Sequence, residues 1–490
     1  GDIDGDGASD LVLGGPKGKP TRVFKNNFAK GSGASPMVAI PNPALVAHQA
    51  SEDMGLLLLE ADGDGDLDLY VASGSNEARR NDPAYGDRLY LNDGKGNFTH
   101  ADQALPDSRE SSSTVTAADY DRDGDLDLFI GVRQLIGEYP NEATSQLLQN
   151  DGNGNFEDVT FKVAPSLLRD GLVTSAVWTD LNESGFQDLI IAQDNGEIKV
   201  LINDGNGLLE NKSSLWGTDK SRGFWNAVAA SDIDADGDID LIASNLGLNT
   251  PYQASEKNPF TALMPAGTED AGLTELATTL FLNEDSKLRP IALPLLVQSA
   301  PCYGIAISDV NGDGLQDVYF QQNLTAVPEG TAPFNAGTSV LLYGTGDPEA
   351  LLLPTLPSRT GLLAPEQGRS LSVCDFNNDR RPDFFAGYQG AHPSLYFNEG
   401  KQGFPFSVQL QGTAGNPTAV GARVIVEISQ FPTQVDDVTA GSGYLSQEDG
   451  TLLFSAPSSK VDAAIQVQWP DGETTAHDVE IGSGRVKITR

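Results

Sequence analysis

The nine residues Asp119-Tyr120-Asp121-Arg122-Asp123-Gly124-Asp125-Leu126-Asp127 carry carboxylates at positions 1, 3, 5 and 9 and glycine at position 6. Ca²⁺ takes six to eight oxygens, and a tight loop with ligands at alternate positions gathers them around one point. Glycine permits the positive φ of such a turn, and the carbonyl of position 7 adds an oxygen. The chemistry predicted is cation binding, and the pattern returns seven times. The first copy offers Asp2, Asp4, Asp6 and Asp10; the second Glu60, Asp62, Asp64 and Asp68; the third Asp119, Asp121, Asp123 and Asp127. The fourth offers Asp180, Asn182, Ser184 and Asp188, and the fifth Asp232, Asp234, Asp236 and Asp240. The sixth has Asp309, Asn311, Asp313 and Asp317, and the seventh Asp375, Asn377, Asp379 and Asp383. Up to seven Ca²⁺ are expected. Two copies are weaker: the fourth has only two formal charges, and the seventh puts Arg380 where the others have glycine. A non-glycine residue at positive φ costs about 1 kcal/mol or more.

The elements that position these loops are short. Small, branched and apolar runs precede most copies (114–118, 175–179, 227–231, 303–308) and follow them (67–72, 126–132, 189–192, 239–244). Such flanks predict two strands joined by the loop. An EF-hand would need amphipathic helices there, and none is visible. Successive copies lie 58, 59, 61, 52, 77 and 66 residues apart. A period near sixty leaves room for four short strands per unit, the mark of propeller blades. The expected fold class is all-β: a seven-bladed β-propeller with calcium-binding blade loops over residues 1–407, then a small separate β-domain over 408–490. In the tail, Ile465, Val467 and Trp469 alternate with Gln466 and Gln468, as a half-buried strand should.

Certain residues carry a family resemblance. The segment Asp87-Arg88-Leu89-Tyr90-Leu91-Asn92-Asp93-Gly94-Lys95-Gly96-Asn97-Phe98 recurs at 146–156, at 201–208 and more loosely at 394–404. With the acidic loops it resembles FG-GAP/VCBS repeats, the calcium-bearing blades of integrin α-chain propellers. Its Asn-Asp-Gly turn is also a hairpin signal in its own right. The tail resembles the ASPIC/UnbV domain through Ala419-Val420-Gly421-Ala422-Arg423-Val424, Ala440-Gly441-Ser442-Gly443-Tyr444-Leu445-Ser446-Gln447 and Val467-Gln468-Trp469-Pro470-Asp471-Gly472. Residues 223–255, with Phe224-Trp225-Asn226 and Ser244-Asn245-Leu246-Gly247-Leu248-Asn249, resemble bacterial surface proteins of this kind. The resemblance implies architecture more firmly than activity.

The net charge of −38 falls to −24 with seven Ca²⁺ bound, and no basic face is evident. Nucleic acid is excluded as a partner on that ground. No apolar run is long enough for a membrane span. No signal peptide is visible, and the strand that should precede the first loop is not in the sequence, as in a fragment or processed product. Cys302 and Cys374 are too few for a disulfide scaffold and read as buried filler. His48, His100, His392 and His477 are scattered, without metal-ligand spacing. No acid, base and nucleophile converge, so no catalytic residues are assigned. Trp225, Tyr252 and Phe260, on long inter-strand segments, are candidates for a sugar or peptide platform, with core stacking the stronger role for Trp225. The function expected is a secreted or cell-surface calcium-binding propeller that binds a protein or glycan ligand without catalysis. Alternatives are a self-assembling subunit of an extracellular surface structure, using a donated first strand, and an extracellular carbohydrate-active enzyme. Millimolar Ca²⁺ outside cells suits weak multi-site loops.

Overall fold

The computed structural model describes residues 1–28, 36–169, 171–260, 272–327, 332–482 and 484–490. Six of the acidic loops join a pair of antiparallel strands. The strands entering them are Asp53–Leu59, Ser111–Ala118, Leu172–Thr179, Ala227–Ser231, Cys302–Ser308 and Gly368–Cys374. Those leaving are Asp68–Ser73, Asp127–Gln134, Asp188–Gly196, Asp240–Ser244, Asp317–Gln322 and Asp383–Tyr388. In each pair the residue before the loop faces the loop's ninth residue, as Leu59 faces Asp68 and Ala118 faces Asp127. Further strands complete each sheet, so the repeats build seven antiparallel sheets in sequence. The first begins only after its loop, at Leu11–Leu13, and continues through Arg22–Asn26 and Met37–Ile40.

The entering strands are the innermost, and each packs on its counterpart in the next sheet from the second to the seventh. Burial on both faces explains their composition: all eight residues of Ser111–Ala118 are buried, so the strand shows no polar–apolar alternation. The first sheet meets the seventh, where Leu11, Leu13 and Met37 pack on Cys374, Phe376 and Phe385. Phe28 approaches Phe397 edge-on at 4.9 Å.

The tail forms two sheets. Phe404–Gln411 lies between Leu452–Ala456 and Arg485–Thr489, and Arg423–Ile428 lies between Gln434–Asp437 and Asp462–Gln468. Alternate residues of Asp462–Gln468 are buried, in line with the period-two pattern. The tail packs on the repeats: Phe406, Val424, Val426, Ile465 and Trp469 share one core with Leu57, Leu59, Ala117, Leu126 and Leu128 of the second and third sheets.

Candidate metal centres

Each position of the loop has a distinct task. The first acid closes the turn by accepting a backbone N–H bond from position 6 and, in most copies, from position 5: Asp180 from Ser184 (2.9 Å) and Gly185 (2.7 Å), Asp375 from Asp379 (2.8 Å) and Arg380 (2.7 Å). Positions 4 and 6 are left-handed in all seven copies, for example Gly63 (φ 84°) with Gly65 (95°) and Asn378 (67°) with Arg380 (69°). Arg380 therefore takes the strained conformation its position demands, and position 4 was a second such site that sequence reasoning missed. Its signal was present, as glycine in the first, second and sixth copies. The ninth acid is buried and staples the sheet. Asp68 accepts from Ala61 N (3.0 Å) and Asn92 N (2.8 Å), and Asp240 from Ile233 N (3.0 Å) and Asn283 N (2.8 Å).

In four copies at least three carboxylates converge: Asp2, Asp4 and Asp6; Glu60, Asp62 and Asp68; Asp119, Asp121 and Asp127; Asp232, Asp234 and Asp240. One oxygen from each lies within 4.8 Å of the others. Two oxygens on one Ca²⁺ can be no farther apart than about twice the 2.3–2.6 Å bond length, so the spacing fits such an ion. Several carboxylate oxygens of these residues are buried and accept no hydrogen bond within the protein: Asp4 Oδ1, Asp62 Oδ1, Asp121 Oδ1, Asp127 Oδ2, Asp232 Oδ1 and Asp234 Oδ1. Burial pushes Asp68 and Asp240 up to about 8 and Asp119 and Asp232 to about 7, and repulsion from neighbouring acids adds to this. Such groups resist ionising unless a cation joins them. The acidic clusters could thus hold metal ions, with the residues just named as the ligands.

The other copies differ. Asp64, Asp123 and Asp236, at position 5, fall outside the tightest triads. In the sixth and seventh loops the position 3 amide turns its nitrogen to the position 5 acid, Asn311 to Asp313 at 2.9 Å and Asn377 to Asp379 at 3.2 Å. Neither loop gathers three acids among the described residues. Basic side chains stand near several of the loops. Lys25 pairs with Asp4 and, at 3.0 Å, with Asp6; Arg380 belongs to the seventh loop; and the tail's Arg423 donates to the carbonyl of Asp180 at 3.0 Å.

Sequence reasoning missed two groups. The first is an acid at position 7. Asp66 and Asp125 have a buried, unbonded Oδ1 and are raised by burial, to about 6 and about 7. The second is an asparagine at the end of a sheet's middle strand, whose side chain reaches the preceding sheet's loop at position 2. Asn92 donates to Ile3 O (2.9 Å), Asn150 to Ala61 O (2.9 Å), Asn203 to Tyr120 O (2.8 Å), Asn283 to Leu181 O (3.1 Å) and Asn398 to Val310 O (2.9 Å). Asn26 reaches Phe376 O at 3.0 Å, tying the first sheet to the seventh. The sixth sheet has Gly344 instead, where a Cβ would lie 2.5 Å from Gln316 O.

The remaining candidates are placed as follows. Trp225 is fully buried, its ring tilted 60° to that of Phe281 and its indole N–H on Ser221 O (2.7 Å), so it is core and not a platform. Tyr252 and Phe260 lie with ring centres 4.7 Å apart beside a surface cavity of about 260 Å³. Cys302 and Cys374 are buried and unpaired. His48 and His100 are not scattered after all: their rings lie 4.4 Å apart, and His48 Nδ1 is 2.8 Å from Tyr90 OH.

The tail sits against the ends of the sheets that carry the acidic loops, where Gln187 donates to Gly421 O (3.1 Å) and Arg423 to Asp180 O (3.0 Å). From it residues 439–449 run across the strands that enter the acidic loops. Ala117 N donates to Ala440 O (2.9 Å), and Thr116 Oγ1 to the carbonyls of Ala440 (2.6 Å) and Gly441 (2.9 Å). Ser175 binds Gly443 O, and Tyr444 meets Tyr303 edge-on at 5.3 Å. Gln447 makes both bonds to the main chain of Leu58 (2.7 and 2.8 Å), and Asp449 is bound by Ser9. At the other end of the innermost strands, Arg133 pairs with Asp194 (3.1 Å) and Arg369 lies 4.0 Å over the Tyr303 ring, near the half-exposed Tyr139.

Repeated acidic loops between paired strands, capped by a β-tail, define the class. Residues 61–130 and 180–243 match the FG-GAP-like repeat, and residues 412–489 match the ASPIC and UnbV domain, so the chain carries FG-GAP-like repeats followed by an ASPIC/UnbV domain. Over 98% of its length it is similar to cartilage acidic protein 1. It is 23% identical to the Mus musculus protein over 502 residues, 71% of that protein, and 22% identical to the Homo sapiens protein over 508 residues, 69% of that protein. Neither matched domain is an enzyme family. Solved structures resemble it more distantly. The exotype rhamnogalacturonan lyase YesX is 14% identical with a TM-score of 0.40, over 82% of this chain and 71% of that one. BBS1N in complex with ARL6DN is 10% identical with a TM-score of 0.37, over 89% and 94%. Likenesses this low carry no functional argument.

Proposed function

We propose that the chain is a calcium-stabilised seven-bladed β-propeller, acting outside the cell or at its surface as a non-catalytic binder of a protein or glycan. Seven consecutive sheets, innermost strands in contact and the first sheet packed on the seventh support the ring. The observation that carries the metal assignment is that acids which converge within 4.8 Å also hold buried carboxylate oxygens without a hydrogen bond. Extracellular Ca²⁺ levels suit such sites, and no helix among the described residues is long and apolar enough to cross a membrane. With the tail against the loop-bearing end, the ligand surface is the opposite end, where the Arg133–Asp194 pair, Arg369 and Tyr139 lie among the long connections. An enzyme working in the channel is disfavoured, because residues 439–449 occupy the axis.

The test is thermal unfolding in excess Ca²⁺ and after chelation, with metal content assayed on the same sample. About three or four ions per chain are expected, and chelation should lower Tm by about 10 °C or more. No bound metal and an unchanged Tm would remove the assignment. Glycan and protein arrays probed with and without Ca²⁺ address the binding role, and turnover on a polysaccharide panel would overturn the non-catalytic reading.

A further inference from the structure

The second to sixth sheets each end in a fourth, outermost strand, and the seventh does not. Those five strands are Thr99–His100, Phe156–Asp158, Leu209–Asn211, Leu288–Ala292 and Leu352–Thr355. At or just before the start of each stands one buried apolar residue: Phe98, Phe156, Leu209, Leu288 or Leu352. That residue plugs the gap to the preceding sheet. Leu209, for example, shares one core with Tyr120 and Leu147 of the third repeat and with Leu189 and Leu201 of its own sheet. Phe404 is the counterpart in the seventh repeat, six residues after Asn398 as Leu209 is after Asn203 and Phe156 after Asn150. The chain carries Phe404 into the tail instead. There it opens Phe404–Gln411, pairs with Ala456 and packs on the core shared with the second and third sheets. The third strand of the seventh sheet, Ser394–Tyr396, thus pairs only with Asp383–Tyr388 among the described strands.

The gap left behind is open. By register, Val310, Leu341, Phe384 and Tyr396 hold the places of Tyr120, Leu147, Leu189 and Leu201. With Tyr343 and Leu362 they line a cavity of about 490 Å³ between the sixth and seventh sheets. Its rim is basic: Arg359, on the short helix Pro357–Thr360, and Lys401 outnumber the one acid of the lining, Glu399. Both cations are exposed, and neither has an ion pair or side-chain hydrogen bond among the described residues. In a chain of net charge −38, this places two uncommitted positive charges beside an apolar hole.

We propose that this cavity is a docking site for an extended peptide of a partner protein, which inserts a phenylalanine or leucine side chain where a fourth strand's plug would sit and sets acidic residues beside Arg359 and Lys401. The apolar anchor follows from the five plugs, each of which is Phe or Leu. The acids follow from the basic rim, and the repeats themselves show the combination in Phe156-Glu157-Asp158 and Leu209-Glu210. Strand addition draws affinity from the main chain of an open edge and specificity from alternate side chains. Phe156 lies opposite Asn150 and Leu209 opposite Asn203, so the peptide's anchor takes the place opposite Asn398. A sugar suits the space less well, because it needs polar groups along its edges and the floor is the buried Leu341, Leu362 and Phe384. The proposal rests neither on the metal assignment nor on the surface at the opposite end.

The experiment titrates the whole 490-residue chain with a synthetic peptide copying residues 153–159, Asn-Gly-Asn-Phe-Glu-Asp-Val, up to about 1 mM. Expected are saturable one-to-one binding and amide exchange at residues 395–397 slowed about threefold or more. Phe156→Ala in the peptide should abolish both. Arg359→Glu with Lys401→Glu in the chain, two exposed positions, should weaken binding about tenfold and leave Tm unchanged. The proposal is overturned if the peptide does not bind, if the alanine peptide binds equally well, or if the charge-reversed chain binds as tightly as the parent. It is also overturned if an acidic oligosaccharide gives the protection in the peptide's stead. Protection that rises with chain concentration in the absence of peptide would make a second copy of the chain the occupant and overturn it as well.

Discussion

At the scale of single residues, the loop divides its acids between building and binding. Positions 1 and 9 spend oxygens on backbone N–H groups, which fixes the turn; the buried oxygens without donors lie mostly at positions 3 and 7, joined by Asp127 Oδ2 and Asp232 Oδ1. The asparagine staples are equally specific, because in Asn26, Asn92, Asn150, Asn203 and Asn283 the side-chain nitrogen serves two main-chain carbonyls. Asn203, for instance, meets Tyr120 O at 2.8 Å and Gln187 O at 3.3 Å. Asn203→Ala strands two buried carbonyls, so chemical denaturation should show a loss of about 2–4 kcal/mol. A surface asparagine such as Asn97 changed in the same way should cost a few tenths at most. A loss below about 0.5 kcal/mol at Asn203 would show that the staple does not hold the sheets. Asp87 gives a pH prediction away from the loops. It accepts from Ser73 N (2.6 Å), Ser112 Oγ (2.8 Å) and Tyr70 OH (2.9 Å), next to Arg88, yet burial pushes it up to about 6. A carboxyl raised in the fold favours the folded state while protonated; that contribution is complete below its unfolded value near 4 and is lost as pH rises through about 6. Asp87→Asn should flatten the stability profile between pH 4 and 6, and an unaltered slope would assign it to other groups.

At the scale of elements, the paired strands and the tail segment were legible to different degrees, for a physical reason. The loops could be read because turn residues and candidate ligands are contiguous, and because strands buried on both faces appear as unbroken small and branched runs. The staples could not: Asn150 and Ala61 are 89 residues apart, and Asn in Asn-Asp-Gly reads first as a hairpin turn. The axial segment was equally hidden. Ala440-Gly441-Ser442-Gly443 looks like an ordinary loop, yet its partners Thr116 and Ser175 come from two different sheets. Contact there is close enough to exclude a side chain: a Cβ on Gly441 would lie 2.5 Å from Val115 O, and Gly441 has φ 84°. Gly441→Val should therefore lift the segment off the axis. Faster amide exchange across 439–449 and at Leu58, together with new proteolytic cuts in that segment, is the expected outcome. Exchange as slow as in the parent chain would mean that the axis tolerates the added bulk. Gln447→Ala is the milder companion, removing both side-chain bonds to Leu58 with no new clash, and should cost about 1–3 kcal/mol.

At the scale of the whole molecule, the tail works as a hub. Residues 439–449 touch the second sheet at Leu58, the third at Thr116, the fourth at Ser175, the sixth at Tyr303, the seventh at Val373 and the first-sheet segment at Ser9. The tail sheets also share a core with the second and third sheets, so cutting the chain near residue 404 would expose Leu57, Leu59, Leu126 and Leu128 on one piece and Phe406, Val424 and Trp469 on the other. Burying a large apolar side chain contributes about 1.5–3 kcal/mol, so seven such residues contribute roughly 10–20 kcal/mol, comparable to the 5–15 kcal/mol that a typical domain has in reserve. Two sequence families joined end to end would by themselves suggest two melting transitions. The shared core and the axial bonds argue for one. Calorimetry of the full chain in Ca²⁺ should accordingly give a single transition whose calorimetric and van't Hoff enthalpies agree, and residues 1–403 expressed alone should be insoluble or melt well below the full chain. If the tail instead melted first and left the repeats at their original Tm, it would be an attached module, and the hub would hold nothing together.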